Sequence, residues 1–74
     1  MTYNQAKIIL AFAWNNMQVK ATAGYLYFSD GNVYYHLRTI AAETGRDPKN
    51  FYDLCYLVGV ATQVMAGRKC VTFR

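Results

Sequence analysis

Residues 21–40 read ATAGYLYFSDGNVYYHLRTI, and the spacing of their apolar positions decides the architecture. Ala23 and Leu26 fall one turn apart, so the stretch from about Val19 to Tyr27 reads as a short helix with those two residues inward. FSDG then reads as a tight turn. Ser29 or Asp30 can cap the helix that follows, because a short oxygen-bearing side chain accepts a bond from a free backbone N–H. Val33, Leu37 and Ile40 share one face of that next helix, over residues 29–44. It stops where Gly45 is free to take a left-handed conformation.

Working outward, residues 3–15 predict a first helix, with Ala6, Ile9, Leu10 and Ala13 on one face. Asn15 and Asn16 end it, since their side chains compete for backbone hydrogen bonds. Downstream, RDPKNF predicts a fourth helix with Asp47 as N-cap and Pro48 at the first helical position. Phe51, Leu54, Cys55, Val58, Ala61 and Met65 form its expected apolar face. The expectation is an all-α domain of four helices over residues 1–66, and a basic tail over 67–74. Val71, Thr72 and Phe73 in that tail favour a small strand, while Gly67 and the charges also suit a loose tail.

The composition limits what such a chain can do. Its 74 residues predict one domain. At that size folding buries only about 60% of the unfolded surface, so stability is marginal without an added contact. The two cysteines offer no CxxC and no histidine at metal-ligand spacing, which predicts reduced thiols, with Cys55 a small core residue. The single histidine, His36, has no nucleophile or second ligand at a useful spacing, and the carboxylates form no pair. Neither an enzyme nor a cofactor or metal site is expected. The apolar run from Ile8 to Trp14 is too short to span a bilayer, and no cleavage site follows it. A soluble cytoplasmic protein is the expectation.

The net charge is +4, and its distribution is uneven. Lys20 and Arg38 cancel Asp30 and Glu43 over residues 17–45, whereas Arg68, Lys69 and Arg74 make the tail strongly basic. A basic chain suits an anionic partner. The two helices around FSDG have the spacing of a helix-turn-helix unit, in which apolar residues flank the turn and the second helix stands proud enough to enter a major groove. An ordinary helical hairpin has the same period.

From about Ile9 to Val60, two-thirds of the chain, the sequence resembles the C-terminal helix-turn-helix domain of the PucR family of purine-catabolism and sugar-diacid regulators. AWNN, TAGYL, SDGNVYYHLRTI and TGRDPKNFYDLCYL stand where that family has a helix ending in paired asparagines, a TA…L helix, HRNTVRYRLKRI and TG.DP..F.D. The resemblance implies a transcriptional regulator that binds double-stranded DNA through residues 29–44. It departs from the family at the start of that helix, where Ser29, Asp30, Gly31 and Asn32 replace HRNT and an aspartate stands in place of an arginine. Tyr35 and His36 replace the later YR, which keeps the ring and loses a permanent charge.

The expected DNA contacts are Lys20, Ser29, Asn32, Tyr34, Tyr35, His36, Arg38, Arg68 and Lys69, through hydroxyl, amide and cationic donors to phosphates and base edges. The alternative is a protein-interaction module that kept the fold without DNA binding. It is favoured by the neutral balance of residues 17–45 and by the number of aromatics, Trp14, Tyr25, Tyr27, Tyr52 and Tyr56 among them. Those aromatics and the small core also predict a homodimer, through helix four or through helix one with the tail.

Overall fold

A computed structural model describes residues 1–67 of the chain, and in them the fold is all-α. Four helices follow in order: α1 (Tyr3–Trp14), α2 (Val19–Leu26), α3 (Asp30–Thr44) and α4 (Phe51–Met65). The strand expected at Val71–Phe73 lies outside the described residues.

α1 is the hub. It packs against all three other helices, most extensively against α4, whereas α4 makes no close backbone approach to α2 or α3. Being covered on two sides, α1 needs a broad apolar face. Ala6, Ile8, Ile9, Ala11 and Phe12 are all buried, while Leu10 and Ala13, expected at the centre of the face, are only half-buried. A capping box starts the helix. The Gln5 N–H donates to Thr2 Oγ1 at 3.1 Å, and the Thr2 N–H donates to Gln5 Oε1 at 2.9 Å. The other end of the Gln5 amide donates to Glu43 Oε1 at 2.9 Å, tying the start of α1 to the end of α3.

The two asparagines do end α1. Asn15 is its C-cap, and Nδ2 of Asn15 donates back to the Ala11 carbonyl at 2.7 Å. Asn16 (φ 57°) and Met17 (φ 62°) then both take left-handed conformations. Asparagine tolerates this, whereas Met17 carries a steric cost of about 1–2 kcal/mol. Packing of its half-buried side chain against the core and the bond from its N–H to the Phe12 carbonyl offset that cost.

In α2, Ala23 and Thr22 are buried, and the Thr22 hydroxyl is satisfied by the Gln18 carbonyl at 2.7 Å. Left-handed Tyr27 (φ 60°) closes the helix and turns the chain into α3. Ser29 is the N-cap there, accepting from the Asn32 N–H at 3.2 Å, which makes Asp30 the first helical residue. Val33, Leu37 and Ile40 are buried, and Gly45 (φ 73°) ends α3 as expected. Ser29→Ala removes a cap and Gly45→Ala puts a Cβ on a left-handed residue. Each is expected to lower stability by about 1 kcal/mol, read from the urea midpoint, with the helix content of the native state unchanged.

α4 begins later than its sequence suggests. Asn50, not Asp47, is the N-cap, with its Oδ1 accepting from the N–H groups of Tyr52 (3.0 Å) and Asp53 (3.2 Å). Asp47 instead organises a turn, accepting from the Lys49 N–H at 3.0 Å, and Pro48 is buried within that turn rather than placed in the helix. The buried face is Leu54, Leu57 and Ala61, which turns Phe51, Cys55 and Met65 toward solvent. Cys55 is therefore a surface thiol and not a core residue. Arg46 fastens the turn to α4: Nη1 lies 3.6 Å from Asp53 Oδ1, and the guanidinium sits 4.1 Å from the centroid of the Tyr56 ring.

Candidate nucleic-acid interface

The pair α2–α3, joined through Tyr27–Ser29, holds α3 against the core by Val33, Leu37 and Ile40. Residues half a turn away from these must then face solvent. Gly31, Asn32, Tyr35, Arg38 and Ala42 are exposed along that side, with Tyr35 59% accessible. Tyr35 and Arg38 are one turn apart, so a hydroxyl-bearing ring and a guanidinium share one outward patch.

His36 has a different place. It is half-buried, with its ring 6.0 Å from that of Phe28 and 5.5 Å from that of Tyr35 in an edge-on contact. It braces Tyr35 and the turn before α3. The Ser29 oxygen is committed to the cap, which leaves its hydroxyl proton free to donate outward.

Tyr34 points to the other flank of α3. There Lys20 from α2, Asp30 and Tyr34 from α3, and Lys49 from the α3–α4 turn surround an open groove of about 530 Å³, floored by Met17 and Val19. The Lys49 ammonium lies 5.4 Å from the centroid of the Tyr34 ring, within reach of a cation–π attraction. The fold thus brings together Lys20 and Tyr34, and it adds Lys49, which the sequence had not singled out. Lys49 is far from α2 along the chain. Only the fold of the turn around Pro48 carries it to the start of α3.

The exposed charges on this side are sparse. Lys20, Arg38 and Lys49 supply the cations and Asp30 and Asp47 oppose them, while Glu43 is engaged by Gln5 and Arg46 by Asp53. Arg68 and Lys69 lie outside the described residues. Among the described residues, no three His, Cys, Asp or Glu side chains gather where they could hold a metal ion, and no helix is long and apolar enough to cross a membrane.

No protein-family model, no curated protein and no solved structure matches the chain.

Proposed function

We propose that this chain is a small cytoplasmic DNA-binding protein, a transcriptional regulator without enzymatic activity that reads the major groove with α3. The observation that carries the reading is the outward face of α3. It presents Asn32, Tyr35 and Arg38, flanked at its first turns by Lys20 and Lys49. In a helix-turn-helix the N-terminal part of the second helix approaches base edges, and the elements beside it meet the phosphates. Arg38 can pair with a guanine edge and Asn32 with an adenine edge. Lys20 and Lys49 meet the backbone on the Tyr34 side. The basic residues Arg68 and Lys69 add cations to the same chain, and the likeness to PucR-type domains points to the same partner.

The test is binding to a random duplex pool across a salt series. Each neutralised phosphate contributes about −0.9 to the slope of log K against log salt. Two to four contacts therefore predict a slope of about −2 to −4. Lys20→Ala and Lys49→Ala are each expected to make it shallower by about 0.9 with the fold intact. No binding at low salt would sink the proposal. It would leave the second reading, a protein-interaction module, which the exposed Trp14, Tyr25, Tyr27 and Tyr52 favour.

A further inference from the structure

The outer side of α1 carries Tyr3, Lys7 and Trp14, with Leu10, packed in part against the core, at its edge. Their spacing of four, three and four residues is that of a helix–helix seam, in which every 3.5 residues on average a side chain meets a facing helix. Among the described residues, Tyr25 of α2 and Met65 of α4 border this seam without covering Tyr3, Lys7 or Trp14. Tyr3, Lys7 and Trp14 are exposed, and Leu10 is half-buried. α1 spends its opposite side on α2, α3 and α4, so the outward seam contributes little to the fold itself. A shallow groove of about 280 Å³ runs beside it, bordered by Lys7, Leu10, Trp14, Tyr25 of α2 and Met65 of α4.

We infer that this face is the docking surface for a second copy of the chain, with the two α1 helices packed antiparallel about a two-fold axis near Leu10 and Ala11. In that arrangement Lys7 and Trp14 of the seam meet across the axis, whereas a parallel pair sets Lys7 against Lys7. An antiparallel pair centred between residues 10 and 11 sets residue 7 of one copy opposite residue 14 of the other. Each Lys7 ammonium then meets the face of the partner copy's Trp14, the ring with the strongest attraction for a cation. The contact forms twice, as a two-fold interface requires. The two lysines remain about 10 Å apart along the axis, seven residues at 1.5 Å each. At that distance, about a Debye length in ordinary buffer, their repulsion is reduced. α1 contains no acidic residue that would bind Lys7 within its own helix.

The exposed aromatics supply about half of one side of a standard interface. Trp14, Tyr25 and Tyr3 leave 79%, 61% and 58% of their surface to solvent. At ~200 Å² per aromatic side chain these three offer about 400 Å². A standard interface takes ~800 Å² from each partner, and Lys7, Leu10, Met65 and their neighbours extend the patch toward it. A short helix that could not sustain a coiled coil alone can do so here, because the core already holds α1 folded. The seam shares no residue with the outward face of α3 or with the groove around Tyr34, so dimerisation and DNA binding are separable.

Trp14 is the only tryptophan in the chain, which makes its fluorescence a reporter of this face alone. The experiment follows mass by sedimentation and Trp14 emission over the same concentration series, without DNA. The expected result is a rise from monomer to dimer mass, accompanied by a blue shift of the emission as Trp14 leaves water. Lys7→Glu, at an exposed position, is expected to weaken the dimer at least tenfold while the far-UV circular dichroism is unchanged. A monomer mass up to millimolar concentration overturns the inference, and so does a dimer whose Trp14 emission stays that of an exposed indole. A Lys7→Glu protein that dimerises as well as wild type overturns the antiparallel pairing. If that variant fails to fold, the wild-type titration decides by itself. Because no step involves DNA, failure here leaves the proposed function standing, and failure of DNA binding leaves this face standing.

Discussion

Phe12→Ala is expected to lower the melting temperature by at least ~12 °C, while Trp14→Ala, two residues along the same helix, leaves the fold intact. Phe12 is 1% exposed and belongs to the core that joins α1 to α2, α3 and α4; Trp14 is 79% exposed. Truncating a buried phenylalanine costs about 3–5 kcal/mol, part of it lost transfer energy and part the cavity left behind. The whole stability of a domain this size is about 4–11 kcal/mol at 0.05–0.15 kcal/mol per residue. One substitution therefore removes about a quarter of the stability or more. At about 4–8 °C per kcal/mol, the melting temperature should fall by at least ~12 °C. Trp14→Ala, measured at concentrations where the chain is monomeric, should change stability by less than ~0.5 kcal/mol. Thermal melts followed by circular dichroism compare the two directly. A Phe12→Ala protein that melts within ~5 °C of wild type would mean that α1 is not the hub of the core.

That contrast also marks how far the sequence could be read. Four helices, the Ser29 cap and the Gly45 stop are local signals, and the structure bears them out. Burial within α1 is not local. A single 3.6-residue stripe selects Ala6, Ile9, Leu10 and Ala13. A helix packed on two sides also buries Ile8 and Phe12 and leaves Leu10 and Ala13 nearer the edge. The start of α4 fails for a related reason. Asp47-Pro48 is a good helix opening and equally a good turn. What decides between them is tertiary: Pro48 is buried, and Asp53 reaches back to accept from the Asp47 N–H at 3.1 Å. Starting the helix three residues later goes with a buried face built on Leu57, which leaves Cys55 outside. At the candidate interface, Tyr35 and Arg38 follow from helical spacing alone. Lys49 does not, because its place beside Tyr34 depends on a turn that no periodicity describes.

Asp30→Arg should strengthen DNA binding about tenfold at 0.1 M salt. Asp30 is exposed at the first position of α3, on the rim of the groove that Lys20, Tyr34 and Lys49 also border. If α3 enters the major groove by its N-terminal end, the carboxylate faces the phosphates and opposes the two lysines beside it. The substitution changes the local charge by two and adds a donor fork suited to a phosphate. One new phosphate contact steepens the log–log salt slope by about 0.9, which at 0.1 M salt is close to a factor of ten in affinity. The fold should tolerate the change. Ser29 supplies the cap, so the loss is confined to the interaction of Asp30 with the helix dipole, about 0.3–1 kcal/mol. Binding and slope are coupled in this prediction, which gives it a second reading. A variant that binds more tightly without a steeper slope has gained something other than a phosphate contact. A folded variant that binds no better than wild type places α3 away from the DNA. The neutral balance of Lys20 and Arg38 against Asp30 and Glu43 would then be the surface of an interaction module rather than of a weak reader.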